Sequence, residues 1–169
     1  MTRSAGKSDQ NKEKLVCKVL VNFNNDRLKR FHEEAEFLNR FRHPNIVSIH
    51  EYFESEYVMV LEKVKHSLQD VTNIRTFKNR SSVEYYSIRD KLNILQNVTS
   101  ALVYLHANGT VHRDICPGNI LIREDMSAAI SDFGMSTIGD ARLQDDSLGN
   151  PKIYAPFEQS QRLIYAREP

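Results

Sequence analysis

Apolar and polar positions alternate along the chain in blocks of two kinds. Residues 15–21 are mostly apolar and rich in Val and Leu, which predicts a strand. The polar cluster 22–26 reads as a turn. Over 27–42, Phe31, Ala35, Leu38 and Phe41 recur at steps of four, three and three, the period of a helix with one apolar face. Pro44 bars its continuation. Residues 46–52 and 57–61 read as two short strands of a hairpin around Glu54-Ser55-Glu56. Residues 65–82 are polar and show no clear period, although Ser81 and Glu84 have capping-box spacing. Then Ile88, Leu92, Leu95, Val98, Leu102 and Leu105 form a long helical stripe, and Asn108-Gly109 supplies a stop. Short strand-like runs follow at 120–122 and 128–131. Strands with one helix, then a long helix, then small strands predict an α+β fold in two sublobes, not a repeating βαβ sheet.

Composition narrows this picture. A chain of 169 residues can bury one core. Apolar residues make up 40%, and seven Tyr and eight Phe argue against wholesale disorder. Lys plus Arg number 23 and Asp plus Glu 22, so a net charge of +1 gives no reason to expect nucleic acid as a partner. Pairs such as Arg40 with Arg42 read as solvated helix ends. Cys17 and Cys116 make no disulfide framework, and His32, His43, His50, His66 and His106 are too scattered for a metal site. Residues 1–14 are polar and mixed in charge, and apolar runs such as 58–61 are far too short for a membrane span. A cytoplasmic location is therefore expected. The six glycines, at 6, 109, 118, 134, 139 and 149, exclude the G-x-G-x-x-G phosphate cradle from this sequence.

Chemistry concentrates in His112-Arg113-Asp114-Ile115-Cys116-Pro117-Gly118-Asn119 and in Asp132-Phe133-Gly134. Asp114, Asn119 and Asp132 put oxygen-bearing side chains on two loops, a set that suits a hard cation holding phosphates. Singly, each could be an ordinary turn residue. Jointly they spell H-R-D-x-x-x-x-N followed by D-F-G, and the chain here resembles the eukaryotic protein kinase family. The step of eighteen residues from Asp114 to Asp132 is also the family's usual one. The resemblance implies a bilobal kinase fold and an ATP- and Mg²⁺-dependent transfer of the γ-phosphoryl group to a protein hydroxyl. It implies that Asp114 is the base for that hydroxyl and that Asn119 and Asp132 hold Mg²⁺.

Further assignments follow from the same resemblance. Val16-Cys17-Lys18 matches the V-A-I-K strand, so Lys18 would contact the α- and β-phosphates. Glu34 lies in the apolar stripe of the first helix, where a carboxylate is costly unless a cation meets it. It either pairs with Lys18 or only with Arg30 one turn back. Its spacing to His43-Pro44-Asn45-Ile46-Val47 matches the family pattern. Leu61 would be the gatekeeper, Glu62 to Val64 would offer backbone groups to adenine, and Leu121 would lie beneath it. Leu38, Ile49, His112 and Phe133 would form an apolar spine linking the lobes.

The chain also departs from the family. Cys116 stands where Ser/Thr kinases usually carry Lys, while Pro117 keeps their K-P-x-N shape and favours Ser/Thr over Tyr. Ser136, Thr137 and Ser147 are candidate phosphorylation sites in the segment after Asp132, with Arg113 as an ionic partner. Tyr154-Ala155-Pro156-Phe157-Glu158 replaces the usual A-P-E. The expected organisation is a polar segment 1–14 and a partial kinase domain 15–169, with N-lobe and hinge at 15–64 and the C-lobe from 65 through the activation segment. Expected partners are ATP, a protein substrate and a regulatory protein. The other reading left open is a pseudokinase or truncated kinase that acts through protein contacts without turnover.

Overall fold

The computed structural model describes residues 14–72 and 86–138. Strand β1 (Leu15–Val19) precedes helix α1 (Asn25–Arg40), and strands β2 (Ile49–Phe53) and β3 (Val58–Glu62) follow. These strands form an antiparallel sheet in the order β1-β3-β2. Next come β4 (His66–Ser67), α2 (Leu68–Thr72) and the long α3 (Ile88–Ala107). After α3 lie β5 (Thr110–Val111), a 3-10 turn (Pro117–Asn119), β6 (Ile120–Ile122), β7 (Ala128–Ile130) and β8 (Thr137–Ile138). Strands β4-β6-β7 form a second sheet, and β5 pairs with β8.

Helix α1 starts earlier than its apolar period suggests. The Asn24 side chain accepts from the Arg27 N–H at 2.8 Å, and Asp26 complements the helix dipole in the first turn. The apparent turn cluster is thus partly the cap and first turn. The helix ends at Arg40, where the Phe41 N–H still reaches the Phe37 carbonyl at 3.0 Å. Arg42 is more than a solvated end, because its Nη1 donates to the Ile49 carbonyl at 2.7 Å.

Strand β2 begins at Ile49 rather than at residue 46 because the loop before it pairs elsewhere. The Val47 N–H donates to the Ile130 carbonyl, and the Ile130 N–H to the Asn45 carbonyl, both at 2.9 Å. The Asn45 amide adds a bond to the Ala128 carbonyl at 2.9 Å. The loop that leaves α1 is therefore stitched to β7, in the second sheet.

Helix α3 has the predicted length and ends at Asn108, with Gly109 at φ +66°. Its C-terminal half buries the predicted stripe, with Leu105 buried and Val98 and Leu102 packed on the core, but its N-terminal half turns a different face inward. Ile94, Ala101 and Leu105 are buried, whereas Ile88, Leu92 and Leu95 are 76, 60 and 62% exposed. Two asparagines occupy the inward face of that N-terminal half. Asn93 donates to the Met126 carbonyl at 3.1 Å, and Asn97 accepts from the Ala128 N–H at 2.8 Å. Both are polar, so a hydrophobicity pattern assigns them to solvent. The capping box is at Ser87 and Asp90, and Ser67 with Asp70 makes the same reciprocal bonds before α2. Ser81 and Glu84 lie outside the described residues.

One core cluster joins α1, β2, β3, α3 and Phe133, and a second packs Ile94 against β6 and β7. Among the described residues no helix is long and apolar enough to cross a membrane.

Candidate catalytic site

Two charged groups meet behind the first sheet. Lys18 on β1 reaches Glu34 on α1, with Nζ at 2.7 Å from Oε1 and 2.6 Å from Oε2. Of the two partners weighed for Glu34, the structure gives it Lys18. The carboxylate is 4% exposed, among Phe31, Ala35 and Leu38. Burial pushes its pKa above the ordinary 4.5, and this outweighs the pull of Lys18; the charge of Asp132 adds to the rise, and the Phe133 N–H bond opposes it. The pair therefore survives at a cost in solvation, held by geometry.

The loop after α3 is organised around His112, which is buried. The Asp114 N–H donates to its Nδ1 at 3.2 Å, so Nδ1 is the acceptor and Nε2 carries the proton toward the Ser131 carbonyl at 3.1 Å. Phe133 stacks on Phe37 at 4.5 Å and meets His112 edge-on at 4.7 Å. Leu38 and Ile49 join Phe133 in the same core cluster. The four predicted spine residues are all buried, and Phe133 ties α1 to the loop.

Asn119 uses its amide nitrogen twice, on the Asp114 carbonyl at 2.9 Å and on Asp114 Oδ2 at 3.0 Å. Both amide protons are thereby committed, leaving the amide oxygen as its acceptor. Arg113 and Asp132 have φ of +65° and +62°. Non-glycine residues pay about 1–3 kcal/mol each for such backbone, a cost that gathers at functional sites. At Gly118 the Gln69 side chain lies close, 2.8 Å from where a Cβ would stand, so a larger residue would have to displace that side chain.

A cleft of about 400 Å³ brings Lys18, Glu34, Asp114 and Asp132 together, with Arg27 and Arg30 on its wall. Asn119, Glu62, Val64 and Leu121 do not line it. Asn119 joins the cleft through Asp114. Leu61 is buried, and Val64 and Leu121 are half-buried, Leu121 opposite Ala129 between β6 and β7. Asp132 is exposed at the cleft. No group of three His, Cys, Asp or Glu among the described residues could hold a metal by itself. The oxygens of Asn119 and Asp132 fit Mg²⁺ instead, an ion held by one or two protein oxygens together with substrate phosphates.

Other sequence expectations fare differently. Thr137 is buried in β8, so its hydroxyl is out of reach of a modifying enzyme while β8 pairs with β5. Ser136 donates its hydroxyl to the His112 carbonyl at 3.2 Å. Ser147 and residues 154–158 lie outside the described residues. Cys116 is a half-buried free thiol just before the 3-10 turn. Sequence reasoning missed what the Glu62 side chain does: it forms a two-pronged pair with Arg123. A carboxylate ending a strand and an arginine 61 residues later carry no shared sequence signal.

Comparison with known proteins gives one clear family. The sequence model of the protein kinase domain matches residues 4–158. A probable myosin light chain kinase of Dictyostelium discoideum is 36% identical over 126 residues, covering 73% of this chain and 39% of the relative. Myosin light chain kinase A of the same organism is 31% identical over 157 residues, 89% of this chain and 52% of the relative. Calcium/calmodulin-dependent protein kinase type 1 of Macrobrachium nipponense is 31% identical over 152 residues, 88% and 42% respectively. The chain thus spans about half or less of these relatives' lengths. With the H-R-D and D-F-G loops meeting a lysine–glutamate pair in one cleft, and a family match over most of its length, the chain belongs to the eukaryotic protein kinase family.

Proposed function

We propose that this chain carries the catalytic centre of an ATP-dependent protein kinase that phosphorylates Ser or Thr hydroxyls. The observation that carries the reading is the cleft that gathers Lys18, Glu34, Asp114 and Asp132. Lys18, fixed by both oxygens of Glu34, presents its charge to the α- and β-phosphates. Adenine would reach beyond this cleft to the Glu62 and Val64 backbones and the Leu121 side chain. Asn119 and Asp132 hold Mg²⁺, which supplies positive charge to the phosphates when bound. Asp114 orients the substrate hydroxyl and takes its proton while the hydroxyl oxygen bonds to the γ-phosphorus and the bond to the β–γ bridging oxygen breaks. Asn119 fixes the Asp114 carboxylate at 3.0 Å for that task.

The test is transfer of labelled γ-phosphate to Ser, Thr and Tyr peptides. Asp114→Ala is expected to lower the rate by about 10²–10⁴-fold. Equal transfer by wild type and variant overturns the assignment of Asp114. Phosphotyrosine as the main product overturns the Ser/Thr reading.

Cys116 favours a second reading. A thiol replaces the family's lysine in the catalytic loop, so the charge that would face the γ-phosphate is gone. Loss of one such group costs about 10²–10³-fold. Metal-dependent ATP binding without transfer, with transfer appearing in Cys116→Lys, would make the chain an interaction module with a nucleotide site.

A further inference from the structure

Glu62 ends the hinge strand β3, and its side chain faces away from the work assigned to its backbone. Arg123, directly after β6, donates Nε to Oε2 at 2.9 Å and Nη2 to Oε1 at 2.7 Å. The Ser48 N–H adds a bond to Oε1 at 2.9 Å. The other guanidinium nitrogen, Nη1, donates to the Pro44 carbonyl at 2.9 Å and reaches Ser127 Oγ at 3.4 Å. One side chain at the end of β6 thus holds the end of the first sheet and the loop that leaves α1. Its neighbour repeats the connection with opposite charge: Glu124 pairs with Lys14 at 3.1 Å, and the Lys14 carbonyl accepts the Lys63 N–H at 2.7 Å.

The two connections are unequal. Lys14 and Glu124 are 70 and 82% exposed, where an ion pair is screened and contributes little. Glu62 and Arg123 are 21 and 24% exposed, and their paired planes give a two-pronged, charge-assisted contact. The geometry fixed by this contact also contains the Lys18–Glu34 pair and the buried Phe133 stack. Whatever holds the hinge strand against β6 therefore favours the assembled cleft over arrangements in which the two sheets part.

We propose that Arg123 is a positioning residue, the main arm of a latch across the back of the hinge that keeps the two sheets in the register a nucleotide needs. The inference rests on reading the cleft as a nucleotide site. The latch lowers the ordering cost that binding would otherwise carry, so it acts chiefly on the dissociation rate.

The experiment compares wild type, Arg123→Lys and Arg123→Gln in two measurements. Without nucleotide, amide hydrogen exchange at Ser48 and Lys63 should speed up about tenfold in Arg123→Gln and less in Arg123→Lys, which keeps the charge but not the fork. With Mg-ATP as the probe, dissociation should quicken about five- to tenfold in the Gln variant, in the same order across the series. Unchanged exchange overturns the latch, whether or not the chain binds nucleotide. Faster exchange with unchanged dissociation overturns its role in nucleotide binding. A wild type that binds no Mg-ATP overturns the nucleotide reading, and the exchange measurement still decides the latch. If Arg123→Gln does not fold, Glu62→Gln weakens the pair from the other side while keeping an acceptor for Ser48, and the same outcomes apply.

Discussion

Strands β1 and β7 each deliver one charged residue to the cleft, and they are held in opposite ways. On β1, Leu15, Val16 and Val19 are 46, 43 and 51% exposed, so the strand carrying Lys18 has little packing of its own. On β7, which leads to Asp132, Ala128, Ala129 and Ile130 are all 0% exposed. β7 is fixed by core contacts, by β6, by Asn97 and by the loop after α1. Among the described residues, β1 is fixed by one sheet partner, β3, and by the ion pair from Lys18 to Glu34. The cleft therefore has one wall located by burial and one located by hydrogen bonds and charge. That difference in buried apolar area predicts a stiffer backbone at Asp132 than at Lys18.

The largest contrast should appear when an aliphatic side chain is cut back to Ala on each wall. Ile130→Ala should cost about 3 kcal/mol in a denaturant melt, within the range for a fully buried Ile. Val19→Ala on β1 should cost less than about 0.5 kcal/mol, as surface substitutions do. Similar costs would show that the walls are held alike.

The ion pair gives the next largest effect, with its sign reversed between stability and binding. Burial raises the Glu34 pKa, so the folded state disfavours its charge; the pair contributes least to stability above that raised value and the folded state gains as pH falls through it toward 4.5. Replacing both partners, Lys18→Met with Glu34→Leu, should leave the fold unchanged or up to about 2 kcal/mol more stable, while abolishing Mg-ATP binding. A variant that melts several kcal/mol lower would mean that the pair holds β1 by stabilising it.

Smaller effects probe the second wall. Ser87→Ala removes the cap of α3 and should cost about 1 kcal/mol in the same melt. His43 joins that wall too, stacked on Tyr104 at 5.1 Å, with Nδ1 accepting the Asn45 N–H at 3.0 Å and Nε2 3.3 Å from Ser100 Oγ. Burial holds its pKa below the ordinary 6.5. The unfolded chain takes up that proton first, so the contribution is present above 6.5 and is lost as pH falls below it. Relative to His43→Phe, wild type should lose melting temperature between pH 7.5 and pH 5.5, a difference in which the opposite contribution of Glu34, common to both, cancels. Equal slopes would remove His43 from the account.

Much of the site was legible in the sequence because its residues are tied to short spacings. Asp114, Asn119 and Asp132 stand at fixed steps, and Glu34 betrayed itself as a carboxylate in an apolar stripe. The element order was legible for the same reason, since α1 and α3 are long enough for their period to register. What escaped depended on polar groups that bury themselves by finding partners. Asn93 and Asn97 face inward on the first half of α3, Asn45 ties the 45–47 loop to β7, and Arg123 found Glu62. Each of those bonds links residues at least 31 positions apart, and a polarity pattern sends each side chain to solvent. The caps before α2 and α3 were missed because both use Asp in place of Glu at the third helical position.

The central question is whether the two walls together bind ATP through a metal. Titration of ATP with and without Mg²⁺ into wild type and Asp132→Asn measures this without requiring turnover. Wild type should bind with an affinity that depends on Mg²⁺, and Asp132→Asn should lose that dependence. Binding that ignores both Mg²⁺ and Asp132, or no binding at all by the folded wild type, would contradict it.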